Sequence, residues 1–264
     1  MHPGDWRLIN GENIEAIPAA LARARGNATA RALAKCDWLI RQKNDGRFLA
    51  LRRGDLVSEL RRNALTPDLR ADLAALAESD NQGESPRPVS GLLERLHALG
   101  LDEIAYGDST GLALVAEPHV LSYAGRDRYR RPLWLTQSAA HAWQRMRRAA
   151  LNDGVVLEAI SGYRSHDYQL GIFRRKLARG QTVADVLAVN AAPGYSEHHS
   201  GNAMDIGAPG EPPAEESFEN TDAFAWLVAH ADNHGFVMSY PRDNPHGIIY
   251  EPWHWRWRWK ETAP

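Results

Sequence analysis

The stretch 193–207, PGYSEHHSGNAMDIG, decides how this chain is interpreted. It holds the adjacent histidines His198 and His199, the carboxylate Asp205 seven positions after the first of them, and three glycines. The pattern is S-x-H-x-x-G-x-A-x-D, whose small residues let backbone segments approach closely. Imidazole nitrogen and carboxylate oxygen are both common metal ligands. Taken alone, the stretch fits a metal site and a polar turn equally well.

A second motif, IYEPWHWRW at 249–257, brings Glu251 and His254 into an aromatic cluster. A carboxylate and an imidazole in apolar surroundings are costly unless they are paired or bind a metal. Residues three apart on a regular strand face opposite sides. The two side chains can therefore share a site only if the chain turns or bulges at Pro252 and Trp253, which the poor tolerance of proline inside strands favours.

The overall composition excludes several classes of protein. The 264 residues suggest one large domain or two smaller ones, and 44% hydrophobic with 24% charged residues is typical of a soluble globular protein. A net charge of −2 gives no basic surface for nucleic acid. The single cysteine excludes an intrachain disulfide. No uncharged apolar run approaches the ~18 residues of a membrane span.

The N-terminal sequence MHPGDWRLINGENIEAIP lacks a basic segment followed by an apolar one. We therefore expect no secretory signal and a cytoplasmic location. The sequence carries no indication of the oligomeric state.

The first part of the chain is predicted to be mainly helical. Residues 14–78 are rich in Ala, Leu and Arg at helical spacing, and TPDLRADLAALAES begins with a Thr66 cap followed by Pro67. RFLALRRGDLVSELRR at 47–62 predicts a short strand followed by a helix. The polar segment ESDNQGESPRP at 78–88 is the best candidate for a linker. We expect an N-terminal, mainly helical region of unknown role at 1–115 and a second domain at 116–264.

The second part mixes helices and strands without a regular strand–helix–strand alternation, which predicts an α+β fold. EIAYGDSTGLALVAEP is predicted to be a hairpin turning at GDSTG. Helices are predicted in VSGLLERLHALG, LTQSAAHAWQRMRRAALNDG, DYQLGIFRRKLARG, VADVLAVNAAPG and TDAFAWLVAHADNHG. Strands are predicted in VVLEAISGYRS, FVMSYP and GIIYEPWHWRWRWK.

Four separated motifs agree in order and spacing with one known family. SGYRSHDYQ, PGYSEHHSGNAMDIG, WLVAHADNHGFVMSYP and GIIYEPWHWRW together resemble the VanY-like D-alanyl-D-alanine carboxypeptidases. These are zinc peptidases related to the lysostaphin-type endopeptidases and the hedgehog domain. The resemblance covers roughly 130–260 and leaves 1–115 without a match. It implies an antiparallel sheet that carries a zinc site, with flanking helices.

The resemblance implies that Zn²⁺ is bound by His198, Asp205 and His254. This chain has His199 and Ser200 where the family often has Gln and Thr. The family spacing selects the first histidine as the ligand. We expect His199 to be a neighbour of the metal site or an exposed residue.

The resemblance also implies the remaining roles. Glu251 would be the general base and acid, and Arg164 would lie beside the substrate carbonyl and stabilise the developing oxyanion. Gln169 and Ser196 would line the pocket and help to hold the substrate carboxylate.

The implied activity is release of the terminal D-alanine from peptidoglycan stem peptides. Relatives act on D,D or on L,D bonds, and the absence of a recognisable signal peptide slightly favours an L,D-carboxypeptidase acting on recycled peptides. A lysin-like endopeptidase is one alternative, although the N-terminal region has no recognisable wall-binding repeat. A non-catalytic, zinc-stabilised binding module is the other, although a structural site would have no need of Glu251.

Overall fold

The structure is a computed structural model, and it describes residues 6–61, 65–187 and 190–258. The chain forms two compact units. The first contains residues 1–87 and 117–123, and the second contains residues 88–116 and 124–264. Residues 88–116 thus belong to the same unit as the sequence motifs. A division of function at residue 115 stays a prediction.

The first unit is built on an antiparallel sheet. Its strands are β1 (Arg7–Asn10), β2 (Ile14–Pro18), β3 (Trp38–Gln42), β4 (Phe48–Arg53) and β5 (Leu56–Glu59), and they lie in the order β5-β4-β3-β2-β1. The first residues of β6 (Val120–Arg126) pair with β1 on its other side. The unit also has the helices α1 (Asn27–Leu33) and α2 (Pro67–Asn81).

The prediction of a mainly helical N-terminal region is wrong, because residues 7–59 form five strands of one sheet. All five residues of Ile14–Pro18 are buried. A strand buried on both faces need not alternate apolar and polar residues, so its sequence lacks the pattern that identifies a half-buried strand. The segment predicted as strand and helix is instead a hairpin, in which Arg53 pairs with Leu56 across Gly54 and Asp55. Gly54 has φ +54°, a conformation that glycine adopts readily in such turns.

Helix α2 agrees with its prediction. The Thr66 hydroxyl accepts a hydrogen bond from the Leu69 N–H at 3.4 Å, and Pro67 occupies the first turn. Leu69 and Leu76 pack into the hydrophobic core of the first unit, which also contains Ile14 of the sheet. The cap was recognisable in the sequence because its chemistry is local.

The second unit combines helices with a four-stranded antiparallel sheet, as predicted. Strands β8 (Glu158–Ser161), β9 (Ala203–Gly207), β10 (Phe236–Met238) and β11 (His254–Trp257) lie in the order β10-β11-β9-β8. The remaining elements are α3 (Ser90–His97), α4 (Glu103–Thr110), β7 (Pro132–Leu135), α5 (Gln137–Asn152), α6 (His166–Leu177), α7 (Val183–Leu187) and α8 (Asp222–His230).

Helix α5 anchors the core beneath this sheet. Its Trp143 and Met146 are fully buried in one cluster with Met204, Ile206 and Trp255 of the strands. The side chains of β9 alternate between the two faces of the sheet. With Met204 and Ile206 in the core, Asp205 lies on the opposite face.

Two predictions in the second unit are wrong in detail. EIAYGDSTG forms helix α4 instead of a hairpin, since Asp102 caps it by accepting from the Ala105 N–H at 2.8 Å. The helix ends at Gly111, which has φ +65°. The last strand is shorter than predicted, and residues 259 and 260 lie outside the described residues, as do 188 and 189 of the predicted fourth helix.

Each helix in the described ranges is too short or too polar to cross a lipid bilayer.

Candidate active site

Three buried side chains meet on the second sheet. His198, Asp205 and His254 offer ligand atoms that all lie within 4.8 Å of one another. Asp205 Oδ1 is 3.2 Å from His198 Nε2 and 3.3 Å from His254 Nδ1. The structure thus brings together the three residues expected to bind a metal.

The strand register explains how two of these residues meet. Asp205 pairs with His254 across β9 and β11, and with Ser161 across β9 and β8. Residues far apart in the sequence are therefore neighbours on one face. His198 comes from a 3-10 turn, Glu197–Ser200, which Gly201 ends at φ +71°.

The second polar atom of each ligand residue is held by the protein. His198 Nδ1 donates to the Gly162 carbonyl at 2.7 Å, and His254 Nε2 donates to Glu197 Oε2 at 2.9 Å. Ser161 Oγ donates to Asp205 Oδ2 at 2.6 Å. Such partners are typical of metal sites, where they fix the tautomer and orientation of the ligands. The donor set therefore fits a divalent cation.

The electrostatics of the cluster depend on burial and on neighbouring charges. Burial, together with the charge of Arg164, lowers the pKa of His198 to about 4, which leaves a neutral imidazole of the kind that binds metals. Burial raises the pKa of Asp205, but the contacts with His198 and His254 outweigh it and hold the pKa well below its usual range. Asp205 is therefore ionised.

Burial lowers the pKa of His254, but its hydrogen bonds with Asp205 and Glu197 outweigh this and raise the pKa to about 10. The two carboxylates thus attract a positive charge to this imidazole. A cation bound at Nδ1 would replace the proton there and satisfy the same carboxylates.

Glu251 lies beside the cluster because the chain turns at Pro252 and Trp253, as predicted. The His254 N–H donates to the Glu251 carbonyl at 3.0 Å, which closes the turn. Glu251 Oε2 is 3.8 Å from His254 Nδ1. Burial raises the pKa of the Glu251 carboxyl to about 7.

Arg164 also points towards the cluster, from the loop between β8 and α6. Its Nη1 is 4.0 Å from Asp205 Oδ2. Its Nε is buried and has no hydrogen-bond partner among the described residues. The guanidinium thus has donors available for a further acceptor.

Gln169 and Ser196 are buried. The Gln169 amide donates to the Ala191 carbonyl at 3.0 Å, while its Oε1 is buried without a partner in the described part of the chain. Ser196 immediately precedes the 3-10 turn that carries His198. Their contact with a substrate stays a prediction.

Sequence reasoning assigned no role to Glu197, although it lies in the quoted stretch. Besides His254, it binds Arg256, whose Nη1 donates to Glu197 Oε1 at 2.9 Å. Burial raises the pKa of Glu197, but the hydrogen bond and charge of His254 outweigh it and lower the pKa to about 2. The sequence did contain a signal for this role. His254 and Arg256 are two positions apart on a strand and therefore face the same side of the sheet, where two groups that can carry positive charge require a nearby anion.

His199 is buried beside the cluster and is not exposed. Its Nδ1 is 2.6 Å from the Arg164 carbonyl oxygen, and its Nε2 accepts from the Gly194 N–H at 3.1 Å. Both ring nitrogens therefore bind backbone groups.

Known proteins resemble this chain over the same region. Residues 132–260 match the family described as VanY, D-alanyl-D-alanine carboxypeptidase. The putative carboxypeptidase YodJ of Bacillus subtilis (strain 168) is 37% identical over 140 residues, which are 49% of this chain and 48% of that protein. A D-alanyl-D-alanine carboxypeptidase of Enterococcus faecalis is 35% identical over 125 residues, which are 44% of this chain and 45% of that protein. The match spans about half the length of each relative.

Two solved structures are also similar. The LdcB LD-carboxypeptidase is 31% identical with a TM-score of 0.49, and the match covers 52% of this chain and 67% of that one. A mutant of the vancomycin-resistance D,D-pentapeptidase VanY, in complex with Zn(II), is 31% identical with a TM-score of 0.40, over 47% of this chain and 73% of that one. Through residues 132–260, this chain belongs to the VanY family of D-alanyl-D-alanine carboxypeptidases.

Proposed function

We propose that this protein is a zinc-dependent carboxypeptidase that removes the terminal D-alanine from peptidoglycan stem peptides. The observation that carries the proposal is the buried cluster of His198, Asp205 and His254 with Glu251 beside it. A site that only stabilised the fold would not require an additional carboxylate next to the ligands. The names of the related carboxypeptidases support the substrate class.

The proposed ligands of Zn²⁺ are His198, Asp205 and His254. Two imidazoles and one carboxylate are a typical donor set for a catalytic zinc site, which keeps a further position for water or substrate. When bound, zinc would polarise the peptide carbonyl and make a water molecule more acidic.

The proposed role of Glu251 is to move the proton. Its carboxylate would accept a proton from the attacking water and deliver it to the leaving amine. Burial makes this carboxylate a stronger proton acceptor than an exposed one. No nucleophilic side chain and no covalent intermediate are needed.

The proposed role of Arg164 is to stabilise the negative charge that develops on the carbonyl oxygen. Its unpartnered Nε–H is available for this purpose. A preorganised donor of this kind typically contributes about 3 kcal/mol to transition-state stabilisation. Gln169 and Ser196 are proposed to line the pocket and to hold the free carboxylate of the substrate.

Mass spectrometry of two purified stem peptides tests the proposal. Incubation of the zinc-loaded protein with a tetrapeptide and with a pentapeptide should release one alanine residue, and we propose the L,D bond of the tetrapeptide as the preferred one. The control is the Glu251→Gln variant, which should bind zinc but release almost no alanine.

Three outcomes would contradict parts of this proposal. Intact peptides after incubation with the zinc-loaded protein would contradict carboxypeptidase activity. Release only from the pentapeptide would contradict the L,D preference. Cleavage inside the peptides of intact sacculi, without release of alanine, would indicate an endopeptidase.

A further inference from the structure

A buried imidazole that is not a proposed metal ligand joins two loops of the site. His199 has no exposed surface, although it follows the proposed ligand His198 directly. Its ring lies between the loop that carries Arg164 and the turn at Gly194. One ring nitrogen faces a backbone N–H and the other faces a backbone carbonyl oxygen. These two partners restrict the protonation and the tautomer of the imidazole.

The hydrogen bonds of His199 define one tautomer. Nε2 accepts the Gly194 N–H at 3.1 Å and therefore carries no proton. Nδ1 is 2.6 Å from the Arg164 carbonyl oxygen, which can only accept, so Nδ1 carries the proton. A neutral imidazole with one donor and one acceptor satisfies both backbone groups.

These contacts fix the backbone of Arg164 on both sides. Its carbonyl accepts from His199, and its N–H donates to the His198 carbonyl at 3.3 Å. Among the described residues, the contact found for the guanidinium is a distant one, 4.0 Å from Nη1 to Asp205 Oδ2. The position of the guanidinium therefore depends strongly on where the backbone is held.

A second imidazole supports the first. The ring of His166 packs edge-to-face on His199, with centroids 4.5 Å apart. His166 Nε2 donates to the Val115 carbonyl at 2.8 Å, and the Val115 N–H donates to the Gly194 carbonyl at 2.7 Å. Each of these four residues, His199, His166, Val115 and Gly194, thus contacts the next, and the last contacts the first.

We propose that His199 is a positioning residue, which acts on the reaction only by holding Arg164 in place. This inference rests on the proposed role of Arg164 in the carboxypeptidase reaction. A side-chain amide also has one acceptor and one donor, about as far apart as the two ring nitrogens of histidine. Glutamine should therefore replace His199, whereas an apolar side chain of similar size should not.

The kinetic test compares His199→Gln with His199→Leu in the full-length, zinc-loaded protein. We expect His199→Gln to retain kcat within about threefold and His199→Leu to lose about 30-fold, with zinc content unchanged in both. His141→Leu, at an exposed position of α5, is the control. In an Arg164→Ala background, His199→Leu should cause almost no further loss, because the two residues act as one unit.

An NMR experiment tests the hydrogen-bond bridge without any turnover. Protein labelled with ¹⁵N-histidine should show His198 and His199 with a protonated Nδ1 and an unprotonated Nε2. The signals of one histidine with this tautomer should vanish in His199→Gln. This measurement also decides the inference if His199→Leu does not fold.

Several results would overturn the inference. These are the opposite tautomer, wild-type kcat in a folded His199→Leu protein, a kcat in His199→Gln as low as in His199→Leu, or a full additional loss in the Arg164→Ala background. Absence of turnover in the wild-type protein would contradict the proposed function instead, and the NMR result would then decide the bridge by itself.

Discussion

Buried charges have different partners in the two units. In the first unit, Lys43 is buried against Glu117, and its ammonium also donates to the Gly11 carbonyl at 3.1 Å. In the second unit, the buried Asp205 faces His198 and His254, and a metal ion bound there would replace the proton on His254 Nδ1. The positive charge of the first cluster belongs permanently to a lysine, whereas that of the second is a proton that a metal ion would exchange. A buried charge thus indicates a ligand site where its countercharge is exchangeable.

The largest expected effect comes from removing a proposed metal ligand. His198→Ala should weaken zinc binding by more than about 100-fold, because loss of a ligand should exceed the 10–100-fold effect typical of residues that only orient ligands. Turnover should fall to background. Zinc content after dialysis, measured by mass spectrometry, checks this.

His141→Ala, at an exposed position of α5, is the matched control and should bind zinc normally. If His199→Ala loses the metal and His198→Ala keeps it, the assignment of the ligand histidine is wrong.

The next largest effect should follow from Glu251→Gln, which keeps the shape of the side chain but removes its capacity to accept a proton. Turnover should fall about 1,000-fold, since general acid–base catalysis typically contributes 10²–10⁴-fold. Zinc affinity should change little. Steady-state kinetics and zinc titration of the same preparation separate the two quantities, and unchanged kcat would exclude Glu251 as the base.

Lys43→Ala tests the other half of the comparison. It leaves Glu117 buried with an uncompensated charge, so the first unit should lose about 3 kcal/mol of its free energy of unfolding. Zinc affinity should not change, because no cation other than Lys43 is expected there. Urea unfolding and zinc titration measure both effects.

Lys35→Ala, at an exposed lysine of the same unit, should be nearly neutral. If Lys43→Ala reduced zinc affinity without reducing stability, the Lys43–Glu117 pair would not be the purely structural contact that we infer.

The smallest of these effects is expected for Glu197→Gln. Its carboxylate orients His254 from the side opposite Asp205. Loss of such a partner typically weakens metal binding 10–100-fold. Competition with a chelator measures the change, and Glu94→Gln, at an exposed position of α3, should leave the affinity as it is. Equal affinities in the two variants would show that the orientation of His254 does not depend on Glu197.

The proximity of the candidate site residues could be predicted from the sequence because each motif is short and chemically specific. The turn at Pro252 could be predicted because Glu251 and His254, three positions apart, would face opposite sides of a regular strand and could not share a site. The need for an anion beside His254 and Arg256 was predictable, but its identity as Glu197 and the contacts of His199 were not, because they depend on which distant loops and strands become neighbours. Their partners His254 and Arg164 lie 57 and 35 residues away in the sequence.

The N-terminal strands could not be predicted for a different reason. β2 is buried along its whole length, including the charged Glu15, so its sequence does not show the alternation that identifies a half-buried strand. Local signals succeeded where their chemistry is local, as at the Thr66 and Thr136 caps. They failed at α4, where GDSTG is typical of a turn but Asp102 starts a helix just before it.

The pairing of Asp205 with His254 also has a consequence for chain topology. The two residues are 49 positions apart, and the only cysteine, Cys36, cannot form an intrachain disulfide. A cation bound by both residues would act as a reversible cross-link between adjacent strands. In the chain-entropy description, closing a loop of this length restricts the unfolded ensemble by about 4 kcal/mol. Chelation would then lower the free energy of unfolding of the second unit as well as remove the proposed activity.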